Sequence, residues 1–213
     1  MSDKSATVVG AGAIGIGWAI VFSEAGWSVA IYDVDEGQRN SFKSKVATRL
    51  ELLKRHGLLE STVDEVLGKI NVCQRIEEAC INTSFIQECG PENLQVKQSL
   101  FYDFETMVSS DVILASSSSA LKPSLISEKM RNPERFLVVH PANPPYLLPV
   151  VEVVPSDKTS KSAIDQTISM LKDLNMNPIL VKGEPEGFVF NRLQGAVLRE
   201  AYCLVRDGVI SPL

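Results

Sequence analysis

The sequence is short of several things, and each shortage closes a class of function. No run of Lys and Arg occurs, and 21 basic residues are outnumbered by 26 acidic ones for a formal charge of −5. The chain therefore offers no electrostatic footprint for nucleic acid or an anionic membrane surface. No stretch approaches the ~18 consecutive apolar residues of a membrane-spanning helix. The first apolar segment is broken by Gly10, Gly12, Gly15 and Gly17, whereas a secretory signal keeps its apolar core uninterrupted. The four cysteines, Cys73, Cys80, Cys89 and Cys203, have no metal-ligand spacing, and a chain this long needs no disulfide staples. Reduced thiols, no bound metal and a soluble, cytoplasmic protein are expected. Repeats and low-complexity segments are missing too. Histidine is the scarcest reactive side chain, with two among 213 residues.

What is present is a rhythm. Apolar runs of four to six residues alternate with amphipathic stretches, the pattern of βαβ units around a parallel sheet. Strands are expected at residues 6–10, 28–33, 70–73, 83–86, 112–115, 136–139, 150–154 and 179–181. Helices are expected at about 14–25, 35–57 and 92–108, and around Ile164, Ile168, Leu171 and Leu174. In the second of these helices Phe42, Val46, Leu50 and Leu53 form one apolar stripe. After Gly187 the character changes. Phe188, Val189, Phe190, Leu193, Ala196, Val197, Leu198, Ala201, Leu204 and Val205 cover nearly all sides of one helix, which then needs burial on all sides. The remaining residues are too few to bury it. The expectation is that a helical partner domain is missing from these 213 residues, or that a second copy of the chain supplies the cover.

Gly10-Ala11-Gly12-Ala13-Ile14-Gly15 is a G-x-G-x-x-G placed between the first strand and a helix. Its three glycines allow a tight turn, close approach of backbone to a pyrophosphate, and close strand–helix packing. The helix start adds free N–H groups and a positive dipole end. Asp33 follows at the end of the second strand, 18 residues beyond Gly15, where a carboxylate accepts from ribose hydroxyls and repels a 2′-phosphate. No Arg follows in Val34-Asp35-Glu36 to reverse that preference. The loop points to NAD rather than NADP. The loop alone fits FAD about equally, but the later His140–Glu152 pair does not; the remaining alternative is a glycine turn without a ligand. The fold implied is α/β, a Rossmann-type doubly wound, mostly parallel sheet over residues 1–187, followed by the start of an all-α C-terminal domain at 188–213.

His56 ends a charged helix (LLKRHG) and is expected in solvent. His140 ends an apolar strand and opens His-Pro-Ala-Asn-Pro-Pro. Ligands of open α/β sheets bind outside the carboxyl ends of strands, so His140 is placed to exchange a proton with a substrate hydroxyl. Glu152 sits within Pro149–Pro155 among valines, where a carboxylate is costly unless paired. Pairing with His140 satisfies both, the carboxylate orienting the imidazole as in a Ser-His-Asp set. The alternative is a strand whose Glu points to solvent. Ser116-Ser117-Ser118-Ser119 follows another strand; a hydroxyl there could hold a substrate oxygen, though turn chemistry explains most such runs. Asn191 is an amide in an apolar helix. A Ser, a His and an Asn converging on one oxygen is the pattern of alcohol oxidation by hydride transfer.

With these residues in place, the chain resembles the 3-hydroxyacyl-CoA dehydrogenase superfamily, and within it the lambda-crystallin branch. The matching stretches are VVGAGAIGIGWA, IYDVD, FIQECGPENLQVK, ILASSSSALKPS, VVHPANPPYLLPVVEVVP and GFVFNRLQGAVLREAYCLVRDGVISP, in family order over residues 8–212. The resemblance implies His140 as general base, Glu152 as its partner, and Ser119 and Asn191 as holders of the substrate oxygen. It implies contacts with NAD for Gly10, Gly12, Ala13, Ile14, Gly15, Asp33, Glu92, Lys97 and Asn143. Spacing alone singles out neither Glu92 nor Lys97. The implied substrate is a small hydroxy acid oxidised at its 3-hydroxyl, L-gulonate first. The alternatives are a 3-hydroxybutyryl-CoA or other 3-hydroxyacyl-CoA ester, for which Lys43, Lys45 and Lys54 form no basic cluster, and a non-catalytic, crystallin-like NAD-binding role. The family further implies a homodimer formed through the C-terminal helical region.

Overall fold

A computed structural model describes residues 4–212. The strands are β1 (Ser5–Val9), β2 (Ser28–Tyr32), β3 (Ile70–Val72), β4 (Phe85–Glu88), β5 (Ile113–Ser116), β6 (Phe136–Pro141), β7 (Val150–Pro155) and β8 (Asn177–Leu180). The helices are α1 (Ala13–Glu24), α2 (Glu36–Arg55), α3 (Val63–Gly68), α4 (Ile76–Ala79), α5 (Leu94–Met107), α6 (Pro123–Ile126), α7 (Lys161–Asp173) and α8 (Phe190–Arg206). All eight strands join one sheet in the order β3-β2-β1-β4-β5-β6-β7-β8. This is the expected doubly wound arrangement.

Every strand pair is parallel except β6 with β7. The exception follows from chain length. Residues 142–149 are too few for the helical crossover a parallel return requires, so the chain doubles back. The sheet is buried on both faces, which is why its strands read as continuous apolar runs. One core holds Trp18, Phe22, Phe42, Leu50, Ile31 and Val153; the other holds Phe101, Phe104, Phe136, Leu114 and Phe188.

Three expectations need revision. β4 lies two residues later than expected, because its last two positions are the buried polar residues Gln87 and Glu88, which look like loop in a hydrophobicity pattern. The short helices α3, α4 and α6 lie in segments with no helical periodicity to find; α3 is fixed by a capping box between Thr62 and Glu65. Finally, α8 is not apolar all round. Phe188 and Val189 precede it, and Asn191, Arg192, Arg199 and Arg206 occupy one face, leaving an apolar stripe of Phe190, Leu193, Val197, Ala201 and Leu204 on the other. None of its residues is buried, and Leu193, Val197, Leu198 and Tyr202 are exposed.

Candidate active site

The chain order reverses direction across the sheet at β1, which leads to β2 on one side and pairs with β4 on the other. A crevice opens there at the carboxyl ends of the strands. The loop leaving β1 closes its floor. Gly10 has a φ of +111°, and a Cβ on it would meet the Cys89 carbonyl oxygen at 2.6 Å; a Cβ on Gly15 would meet the Gly10 oxygen at 1.8 Å. These two positions exclude any side chain. A Cβ on Gly12 would meet nothing within 4 Å, so that residue faces open space at the start of α1. No side chain caps this helix, and its positive end is available to an anion.

Asp33 stands at the lip of the same crevice. Its Oδ2 accepts from the Ala11 N–H at 2.6 Å and its Oδ1 from the Asp35 N–H at 2.9 Å. The adjoining cavity, about 420 Å³, is lined by Gly10, Tyr32, Asp33, Ile76, Val96 and Leu100 among others. An open glycine, an uncapped helix start, a carboxylate and an apolar slot fit a dinucleotide's pyrophosphate, ribose and adenine. An arginine does come close, although not from the segment searched for one. Arg39, on α2, donates to the main-chain oxygens of Asp33 (2.7 Å) and Val34 (3.2 Å). A hollow of about 810 Å³ at the opposite, amino-terminal edge, lined by Ser5, Ser28 and Asn71, lies away from all of these groups.

On the other side of the switch point, antiparallel pairing puts His140 directly opposite Glu152. Nδ1 of His140 lies 2.9 Å from Glu152 Oε2. An ionised carboxylate can only accept, so Nδ1 carries the proton and Nε2 keeps its lone pair. Both side chains are buried. The second oxygen of Glu152 accepts from the N–H groups of Val189 (2.8 Å) and Phe190 (3.0 Å). One carboxylate thus orients the imidazole and anchors the chain entering α8. That entry is strained. Phe188 has a φ of +50° directly after Gly187 at +70°, and for a bulky residue this costs on the order of 1–3 kcal/mol.

The serine run divides its labour. Ser116 donates to Glu88 (2.6 Å), Ser117 accepts from Trp18 Nε1 (3.1 Å) and Gln87 Nε2 (2.7 Å), and Ser118 donates to Glu92 (2.5 Å). Ser119 is exposed. Its carbonyl oxygen accepts from the Asn191 side chain at 2.8 Å, so Ser119 and Asn191 are brought together through the Ser119 main chain.

Glu92 and Lys97 are engaged by protein partners. Glu92 Oε1 accepts from Ser118 Oγ and from the N–H groups of Ser119, Ala120 and Leu121. Burial works to raise this carboxyl's pKa, but the Ser118, Ala120 and Leu121 donors and the Lys97 ammonium outweigh it and hold the group below its ordinary value. Lys97 is buried and donates to both oxygens of Glu88 at 2.7 Å. Glu88 also accepts from Gly90 N at 2.6 Å. Sequence reasoning missed Glu88; its only local signal is an acid that follows Gln87 at the end of a short strand opening Phe85-Ile86. Desolvation pushes the thiol of neighbouring Cys89 up to about 12. Asn143 is exposed and precedes Pro144 across a cis peptide bond.

Residues 5–184 match the family described as "3-hydroxyacyl-CoA dehydrogenase, NAD binding domain". The chain belongs to this family. It is 37% identical over 207 residues to the lambda-crystallin homolog of Homo sapiens, covering 96% of this chain and 65% of that protein. It is 36% identical over 206 residues to L-carnitine dehydrogenase of Pseudomonas putida, covering 97% and 63%. Among solved structures, (S)-3-hydroxybutyryl-CoA dehydrogenase from Ralstonia eutropha superposes with a TM-score of 0.87 at 27% identity, covering 99% of this chain and 74% of that one. The chain thus spans somewhat under two thirds of the length of these first two relatives. NAD is the cofactor of the family domain, and the glycine loop and Asp33 are the features that fit it. Among the described residues no helix is long and apolar enough to cross a membrane.

Proposed function

We propose that this protein is a cytoplasmic NAD-dependent dehydrogenase that oxidises the 3-hydroxyl of a small hydroxy acid, with L-gulonate the leading substrate. One observation carries the reading: a buried imidazole, fixed at Nδ1 by a carboxylate 2.9 Å away, at a strand's carboxyl end beside a dinucleotide crevice. His140 Nε2 accepts the proton of the substrate hydroxyl as the carbonyl forms. Glu152 holds the tautomer and stabilises the imidazolium that results. The Ser119 hydroxyl and Asn191 orient the substrate oxygen. Glu92, Lys97 and Glu88 act from beneath, tying the Ser118–Leu121 loop to the end of β4. Bound NAD supplies the hydride acceptor.

The resemblance of the sequence to the lambda-crystallin branch implies a small sugar acid, and the likeness to L-carnitine dehydrogenase keeps other 3-hydroxy acids in view. A CoA ester is the alternative substrate; of the three lysines considered for it, Lys45 donates to Gln38 at 2.8 Å. Within residues 188–213, α8 would open a second domain, and its apolar stripe is where a homodimer or further helices would pack. A purely structural role would not require a buried base–carboxylate pair. The test is NADH formation with L-gulonate, L-carnitine and 3-hydroxybutyryl-CoA in parallel. The reading requires the free hydroxy acids to outrun the CoA ester, and NADH from none of the three would refute it.

A further inference from the structure

A hydrogen bond at Nδ1 restrains one atom of an imidazole, and the torsion joining the ring to its Cβ is broad. Something must also hold the faces of the ring. Fully buried Phe188 lies with its ring centroid 5.7 Å from that of His140, tilted at 56°. Phe190 also approaches, at 6.5 Å, but is 39% exposed. The Phe188 backbone is in the left-handed region, where glycine is at ease and a large aromatic is an outlier. Such outliers persist where the surroundings over-determine them, commonly at functional sites. The left-handed pair Gly187–Phe188 brings the aromatic ring onto the imidazole and turns the next two N–H groups toward Glu152 Oε1. A glycine at 188 would relieve the backbone and lose the ring contact.

We propose that Phe188 is a positioning residue for the base: its ring, held by a strained backbone, fixes the rotation of the His140 imidazole so that Nε2 faces the crevice. It also dries the His140–Glu152 hydrogen bond, which a low local dielectric strengthens. The proposal rests on His140 being the base proposed above, but the ring contact can be tested separately.

The chain has two histidines, and His56 is exposed, so the imidazole proton resonances can be assigned without crowding. The unmodified chain should show cross-relaxation between the His140 and Phe188 ring protons. Phe188→Leu keeps an apolar side chain but removes the flat face. Its His140 resonances should shift and broaden, those of His56 should not, and NAD affinity by calorimetry should stay within twofold. With L-gulonate as the test substrate, kcat should fall about tenfold or more, at unchanged KM for NAD, as misorientation of a reacting group predicts. Phe188→Met serves the same comparison should Leu not be accommodated. Absence of the cross-relaxation in the unmodified chain, or a folded variant with sharp, unshifted His140 resonances, overturns the proposal. Failure of the unmodified chain to oxidise L-gulonate counts against the substrate reading instead, and leaves the ring contact to be decided by the spectra.

Discussion

Replacing Glu152 by Gln separates the two duties of this carboxylate. The side chain accepts three hydrogen bonds, from His140 Nδ1 and from the N–H groups of Val189 and Phe190. An amide of the same shape can keep its oxygen on the two N–H groups and place its NH2 against Nδ1. The backbone anchor then survives, and the stability change should be only about 1 kcal/mol, the net worth of one exchanged hydrogen bond. The chemistry should not survive. An NH2 facing Nδ1 forces that nitrogen to accept, so the proton moves to Nε2 and the lone pair aimed at the substrate is lost. The analogous tautomer error in a serine protease costs about 10⁴-fold in kcat, or about 5.5 kcal/mol of barrier at 1.36 kcal/mol per tenfold. Glu152→Ala should instead cost stability, because it strands a buried imidazole N–H and withdraws the acceptor from two more donors, about 3 kcal/mol in all. Thermal unfolding followed by circular dichroism, NADH formation at 340 nm and the ¹⁵N shifts of the His140 ring read these effects apart. Retention of kcat within a few-fold in Glu152→Gln, with the tautomer shown to have changed, would refute the assignment of Nε2 as the base.

His140→Gln should abolish turnover while NAD affinity stays within a few-fold, because His140 lies on β6, three strands along the sheet from β1 and its glycine loop; lost NAD binding in calorimetry would contradict that separation of duties. Asp33→Asn should weaken NAD binding about tenfold to a hundredfold, the worth of a hydrogen bond to a charged acceptor. It should also admit 2′,5′-ADP, because Arg39 stands beside the vacated charge; an Asn variant that still rejects 2′,5′-ADP in a binding titration would show that Asp33 is not the gate. Glu92 predicts an acid-side signature. Its carboxyl ionises more readily in the folded chain than at the ordinary value of 4.5, so the folded state binds fewer protons there. The stability it contributes is complete above pH 4.5 and is lost as pH falls through the lowered value. Below pH 4.5 the melting temperature should drop more steeply for the unmodified chain than for Glu92→Gln, and equal slopes would rule the effect out.

What could be read from the residues in order was whatever local spacing encodes. A glycine loop between strand and helix, with an acid one strand later, specifies its own geometry, because the turn, the uncapped helix start and the register of β2 against β1 are all set within about 30 residues. The alternation of apolar runs determined the doubly wound sheet for the same reason. Pairing at a distance was only half visible. The pattern around Glu152 left open whether it faced solvent, and the antiparallel register of β6 and β7, imposed by the short 142–149 connection, resolved it. Glu92 and Lys97 stood out only through family likeness, and Glu88 did not stand out at all. Much of their work is done by partners 9 to 29 residues away, across strand ends. The entry to α8 was misjudged as plain helix, since a left-handed phenylalanine leaves no trace in periodicity. The sequence alone determined the fold class and the dinucleotide crevice, because both rest on short-range periodicity and chain stiffness. Only the packed tertiary structure decided which carboxylate meets which cation, and that Glu152 meets both His140 and the turn into α8, because those contacts join segments that come together only when the sheet is complete.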